Sequence, residues 1–397
     1  VEAPAVVVET TPEVTSETVS AETTPEVTEE AVTEPEEVVA VAPTDVPPTQ
    51  TPLPTLTPTV APTTPPVSQQ SAVENTAGTT SSRPVSHING GIRWEQQDWN
   101  NCGPANITMA LSYYGWTRDQ SYAQRYLKPE DEDKNVSPDE MVAFVNDETD
   151  LNAIYRFGGD LDVLRDLIAN GFPVIVETGY WPEGNDWLGH YQTVAGYDDS
   201  QRTFFVYDSF IGATTADGII VEDYQEFDRN WQNFNRVFIV LYEPSREAFV
   251  MDLLGTRADP VQAAQHAFEV AQTEARANPN NTFAFFNMGI SLSRLGRYDE
   301  AALAFDRANQ LNFPYRMLWY QFDLFETYFN VGRLDDVMAY VNSNLSNGGQ
   351  WVEETYYWQG RVLEAEGNTA QAVSAFRTAL QRNNNFEDAR QALDRLG

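Results

Sequence analysis

The sequence predicts an α+β domain, helices first and then an antiparallel sheet, followed by an all-α module of helical repeats, with a long disordered tail in front. Three observations predict it. Helical apolar patterns give way to strand patterns between residues 86 and 245. Beyond residue 259, glycine and small-residue positions recur at spacings of 36 and 35 residues. Val1–Ser82 contains no Lys, Arg, Cys or aromatic residue.

The segment 1–85 is dominated by Thr, Pro, Val and Glu. It cannot bury enough apolar surface to offset the entropy of ordering it, so it reads as a disordered tail or stalk. Proline density from Pro47 to Pro66 favours extended polyproline conformations at about 3.1 Å per residue, which suits a spacer holding a domain away from a surface. The chain opens at Val1 with neither methionine nor a charged and apolar leader, as a mature secreted protein does once its signal peptide is gone. An extracellular or cell-surface location is expected.

With 59 acidic against 24 basic residues, the net charge of −35 repels nucleic acids and anionic membrane surfaces, so neither is an expected partner. No apolar run approaches the roughly 20 residues that cross a bilayer. Cys102 is the single cysteine, which excludes intrachain disulfides and multi-cysteine metal sites. No cofactor or metal is expected. Asp131, Asp133 and Asn135 have calcium-loop spacing, but Val136 stands where the sharp turn needs glycine, and the stretch reads as a solvated acidic loop.

Within 86–245, Asn106 to Tyr114 has apolar residues in helical proportion, with Pro104 ahead and Gly115 behind. Ser137 and Glu140 form a capping box for a second helix. Leu161 to Asn170 reads as a third, closed by Gly171. The pattern then changes: Phe172 to Glu177, Tyr191 to Tyr197, Thr203 to Tyr207 and Arg236 to Tyr242 are β-branched or aromatic runs, the middle two flanking an Asp198 to Gln201 turn.

Cys102 sits immediately ahead of the first helix, where the positive end of the macrodipole favours thiolate, the nucleophilic form. Gly103 removes side-chain bulk beside the carbonyl that the thiolate would attack. Of three histidines, His87 falls in the linker and His266 in a helix of the repeats. His190, preceded by Gly189 at the head of a strand, is the natural general base. Asp208, ending the next strand across the turn, can fix the imidazole ring and its tautomer. Trp181, Trp187, Tyr180 and Tyr191 are either the floor of a substrate cleft or ordinary core.

The segment Gln96 to Gly115, with Asn101-Cys102-Gly103-Pro104-Ala105 and Tyr113-Tyr114-Gly115, resembles family thirty-nine of the cysteine peptidases, and so do Gly189-His190-Tyr191, Gly196-Tyr197-Asp198 and Tyr207-Asp208. More narrowly, it is similar to the stand-alone C39-like branch. The resemblance covers roughly Arg93 to Tyr242 and implies a papain-like fold. In it Cys102 is the nucleophile, His190 the base and Asp208 the orienting carboxylate. Gln96, six positions before Cys102, would donate its amide to the oxyanion, with Gln97 the weaker candidate.

Between 259 and 397, Gly296, Gly332 and Gly367 share their spacing with Ala301, Val337 and Ala372, and with Phe305, Val341 and Phe376. Leu295-Gly296-Arg297-Tyr298-Asp299-Glu300-Ala301 in particular resembles the tetratricopeptide repeat, with the middle copy degraded. Helices at Pro260 to Ala277 and Glu387 to Leu396 would cap the stack. The expected function is an extracellular cysteine peptidase or related amide hydrolase, acting on peptide or protein substrates, with a protein partner on the repeats. The alternative is a catalytically silent papain-like fold that serves with the repeats as a binding or scaffolding protein.

Overall fold

The computed structural model describes residues 83–182 and 186–397. The expected disordered tail lies outside them as far as residue 82. From Arg83 the chain is held: its guanidinium pairs with Asp162 and Asp166, and the Pro84 carbonyl accepts the Tyr197 hydroxyl at 2.8 Å.

The sheet comprises β1 (Ser86–Ile88), β2 (Asn152–Arg156), β3 (Val174–Tyr180), β4 (Leu188–Asp198), β5 (Thr203–Tyr207), β6 (Ile219–Asp223) and β7 (Phe238–Tyr242). Its order is β2-β7-β3-β4-β5-β6, with β1 added to β4 and every pairing antiparallel. Asp198 builds the expected β4–β5 turn by accepting the backbone N–H groups of Ser200 and Gln201 at 2.8 and 3.2 Å.

Helices cover both faces. On one lie α1 (Cys102–Tyr113), α2 (Gln120–Leu127) and α3 (Pro138–Glu148), packed on Ile175, Tyr191, Ile239 and Leu241. On the other lie α4 (Leu161–Ala169), α5 (Tyr224–Trp231) and α6 (Glu247–Leu254), packed on Val174, Val176, Phe238 and Val240. Successive residues of β3 and β7 therefore serve opposite cores, which is why both read as unbroken apolar runs. The Ser137–Glu140 capping box opens α3 as expected. Helix α1 is buried from Gly103 to Leu111, so it is the central helix against which the sheet is built.

The remaining helices are α7 (Pro260–Ala277), α8 (Thr282–Arg294), α9 (Tyr298–Gln310), α10 (Asp323–Asn330), α11 (Leu334–Ser346), α12 (Glu353–Ala365), α13 (Thr369–Arg382) and α14 (Glu387–Leu396). Gly296, Gly332 and Gly367 join the paired helices with φ of 70°, 77° and 80°, a left-handed turn that strains other residues. In the outer copies a glycine faces a phenylalanine: a Cβ on Gly289 or Gly360 would lie 2.6 or 2.5 Å from Phe305 or Phe376. The middle copy exchanges the sizes, with Phe325 and Val341 at the matching positions, both buried. What reads as degeneration is a crossing whose large side chain has moved to the other helix.

Phe376 fills the last crossing completely. Phe376→Ala should destabilise the chain by about 3–5 kcal/mol, read as a lowered urea midpoint with unchanged slope. A loss under about 1 kcal/mol would show that this crossing is not close-packed.

The sheet half and the repeats share one apolar cluster that includes Trp187, Phe234, Phe286 and Phe305. Polar ties reinforce it: Arg236 bridges Asp228 and Glu274, and Asn235 donates to Ser291 at 3.0 Å. One open alternative is decided and one expectation changes as a result. Trp187 is core, stacked 5.5 Å from Phe234, with its indole N–H on Asn233. Asp133 and Asn135 are buried rather than solvated, because the start of α12 closes over them.

Candidate active site

Helix α1 begins at Cys102 itself, so the first amides of its opening turn have no carbonyl partner within the helix and surround the thiol with positive dipole. One turn on, Asn106 ties this helix to the sheet. Its amide donates to the carbonyl of Tyr191 at 2.7 Å, to that of Cys102 at 3.0 Å and to Ser209 at 3.2 Å, and its oxygen accepts Thr193 at 2.9 Å. The space over Gly103, expected to open towards substrate, holds Val136, whose Cβ would stand 3.0 Å from a Cβ added there. Packing rather than substrate access requires that glycine.

His190 lies near the start of β4, paired with Thr178 of β3. Gly189 before it admits the repeat module: a Cβ there would lie 2.6 Å from Phe234 and 3.1 Å from Tyr320. The imidazole Nε2 is 3.0 Å from Asp208 Oδ2, and His190 lies close enough to Cys102 to act on its thiol. With Nε2 committed to Asp208, Nδ1 is the nitrogen left for sulfur.

Asp208 is fully buried. Besides His190 it accepts Gln192 Nε2 at 3.0 Å and the backbone N–H groups of Phe210 and Ile211 at 2.7 and 2.6 Å. Gln192 in turn donates to Glu222 and accepts from Thr178. Burial opposes charge on Asp208, but the His190 charge and these donors outweigh it and hold the carboxyl well below its ordinary range.

The same balance operates on the pair it orients. Burial pushes the Cys102 thiol up, yet the hydrogen bond and charge of His190 and the N–H groups of Tyr191 and Gly103 bring it below its ordinary value. Burial pushes His190 down, yet the charge and hydrogen bond of Asp208, and the bond to Cys102, raise it well above. The two values move towards a shared thiolate–imidazolium state. Burial and the nearby Cys102 charge raise the Glu177 carboxyl well above its ordinary value, which disfavours a second negative charge beside the pair.

Gln96 is exposed, and among the described residues only its backbone carbonyl is engaged, by Gln120 Nε2 at 2.6 Å. Gln97 is tied down instead, with its side-chain oxygen on Ser209 at 2.9 Å. Gln120 orders the approach to Cys102, since its oxygen also accepts Asp98 N and Asn101 Nδ2 at 2.8 and 2.7 Å. His87 is in β1 rather than a linker, beside Asn89, and His266 in α7 meets Arg257. Among the aromatics, Tyr191 is core, with its hydroxyl on the Val136 carbonyl, whereas Tyr180 is half-buried with its ring 6.0 Å from that of His190 and Trp181 is 61% exposed.

Fold and site together define a peptidase-like α+β domain of the papain type, joined to helical repeats. Residues 91–239 match the model of the Peptidase_C39 like family and residues 353–386 that of the tetratricopeptide repeat, so the chain carries a C39-like domain followed by tetratricopeptide repeats. No curated protein matches the chain significantly. Among solved structures, a Bacillus anthracis protein described as a C39-like peptidase is 16% identical, over 39% of this chain and 96% of its own, with a TM-score of 0.33. A double glycine motif protease from an AMS/PCAT transporter, in complex with its leader peptide, is 16% identical over 40% and 98%, with a TM-score of 0.28. MamA is 16% identical over 34% and 77%, with a TM-score of 0.30.

Proposed function

We propose that the protein is an extracellular cysteine peptidase, or a closely related amide hydrolase, that cleaves peptide substrates through an acyl-enzyme on Cys102. The observation that carries this reading is His190 bonded at 3.0 Å to the buried Asp208 and set beside the half-buried Cys102 thiol, with the thiol lowered by His190 and the imidazole raised chiefly by Asp208.

The Cys102 thiolate attacks the scissile carbonyl carbon, and the carbonyl oxygen takes the negative charge. The backbone N–H of Cys102 and the free amide of Gln96 are the donors available to that oxyanion. His190 then gives its Nδ1 proton to the leaving nitrogen as the C–N bond breaks, leaving a thioester and a neutral imidazole. A water molecule gives a proton to His190 Nδ1 as its oxygen attacks the thioester carbon. The C–S bond then breaks, releasing the acid and the Cys102 thiolate, with that proton kept on the imidazolium. Asp208 stays ionised throughout and acts by position and charge.

Phe210, 53% exposed, meets the His190 imidazole ring edge-on at 6.5 Å, and the half-buried Tyr180 has its ring 6.0 Å from the same imidazole. They supply an apolar rim suited to a substrate side chain. Tyr320 brings the repeat module against Gly189, so a protein partner held by the repeats would be presented close to the cleft.

A peptide-library digest comparing the protein with its Cys102→Ala variant tests the reading. Cleaved peptides that vanish in the variant are the expected result. Equal cleavage by both would exclude Cys102. If neither cleaves, while both capture the same protein partner, the fold is a scaffold.

A further inference from the structure

A second group of buried carboxyls lies away from the relay, where the peptidase-like domain meets the repeats. Glu140 is in the first turn of α3, and Glu353 and Glu354 open α12 more than two hundred residues later. One oxygen from each comes within 4.8 Å of the others. Asp133 is buried beside them, near enough for the Glu353 charge to act on its carboxyl.

We propose that Glu140, Glu353 and Glu354, with Asp133 beside them, bind one divalent cation of the calcium class, which clamps the repeats onto the peptidase-like domain. Two unpartnered atoms point to a ligand. Glu353 and Glu354 are only 2% and 6% exposed, yet Oε2 of each has no hydrogen-bond partner. Their other oxygens are held: Asn383 donates to Glu353 Oε1 at 2.7 Å, and Ser137 and Asn135 to Glu354 Oε1 at 3.3 and 3.4 Å. Asn383 and the Ser137 N–H likewise hold Glu140, at 2.9 and 2.8 Å. Outer donors fix the carboxyls while two inner oxygens remain unused, as a metal site requires.

Charge and size favour the same ligand. Lys128 is the ammonium that acts on Asp133, but its Nζ is committed to the carbonyls of Asp131 and Asp133, and the carboxyls outnumber it. Burying several carboxylates without a counter-charge is prohibitive. The donors are all oxygen, which selects a hard cation. The three ligand oxygens lie within 4.8 Å of one another, which fits inside the shell of a calcium-class ion, whose ligands stand at about 2.3–2.6 Å. A cavity of about 250 Å³ lined by Ser137, Asp139, Arg294 and Glu354 offers a way in. The ion would also steady the loop that carries Val136, which rests on Gly103 and accepts the Tyr191 hydroxyl at 2.8 Å.

The test is calorimetric titration of the full chain with calcium chloride after EDTA treatment, alongside thermal melting. One saturable ion per chain is expected, with Tm raised by about 3–6 °C at a hundredfold excess over Kd. Glu353→Gln/Glu354→Gln should lose both the ion and the shift. Its Tm in EDTA should match or exceed that of the parent in EDTA, because crowded carboxyls are gone. The single Glu354→Gln variant, which leaves most of the cluster intact, should bind at least tenfold more weakly. Absence of saturable binding below about 1 mM free calcium, with magnesium and manganese equally silent, overturns the proposal. So does one-ion binding that survives in the variants, which would place it on the acidic surface.

Discussion

Replacing His190 with alanine should lower the rate at which iodoacetamide alkylates Cys102 at pH 7 by about thirtyfold to a hundredfold, and peptide turnover by about a thousandfold or more. In the parent, burial raises the thiol while His190 lowers it by hydrogen bond and charge, and His190 wins. Without the imidazole, burial is opposed only by the N–H groups of Tyr191 and Gly103 and by the α1 dipole. The thiol then returns to or above its ordinary value of 9.0, leaving about one per cent thiolate at neutral pH. Turnover falls further than alkylation because the leaving nitrogen also loses its proton donor. The sign can be read from pH. In the parent, alkylation should persist well below pH 9, down to the depressed pKa of the pair. In the variant it should climb as a single titration centred near or above 9. Identical profiles would mean that the imidazole does not act on the sulfur.

Much of this arrangement is legible in the sequence because it depends on short-range pattern. Pro104 and Gly115 bracket α1 and so put Cys102 at its mouth. Asp198 marks the turn that brings β5 alongside β4, and hence Asp208 towards His190. Thr203–Tyr207, Pro260–Ala277 and Glu387–Leu396 fall on the expected residues, each bounded by strong turn or capping chemistry. The elements that escape are β1, β2, β6, α2, α5 and α6, and not all are peripheral, since α5 buries Tyr224, Phe227 and Trp231. β1 and β6 are only partly buried, so their alternation is blurred, and α2 is a mainly polar octapeptide. Asn106 carried a signal, a polar residue four positions after Cys102 on an otherwise apolar helix. Its four bonds do not follow from that. Gln120, Gln192, Glu177 and Tyr320 reach the site through tertiary packing alone, and no local pattern distinguishes them. The acidic loop misled for the same reason: Asp133 is buried by α12, which lies more than two hundred positions away.

Asp208 separates what the site needs for reaction from what it needs for folding. Asp208→Ala should cost about 3–5 kcal/mol, since it leaves one N–H of Gln192 Nε2, whose other donates to Glu222, and the amides of Phe210 and Ile211 unpaired in a buried space, at roughly 1–3 kcal/mol for each lost partner. Asp208→Asn should cost much less stability, because an amide oxygen can still accept from Phe210 and Ile211. Its rate should nevertheless fall by about 10³–10⁴-fold. The Asn amide would then point its N–H groups at His190 Nε2, drawing the lone pair there and leaving the proton on Nδ1. A ring in that tautomer presents a donor to the thiol and cannot take its proton. Linkage gives the direction of the pH changes. The raised His190 contributes stability that is fully present below 6.5 and is lost as pH rises through its folded value. The depressed Asp208 contributes stability present above 3.8 and lost as pH falls through its folded value. Both variants remove the charge that most raises His190, so the alkaline limb of any remaining activity should move to lower pH. Urea unfolding paired with kcat/KM at several pH values measures both effects. If Asn and Ala variants lost rate and stability in the same proportion, Asp208 would be holding only the β5 end, and the imidazole would be oriented by something else.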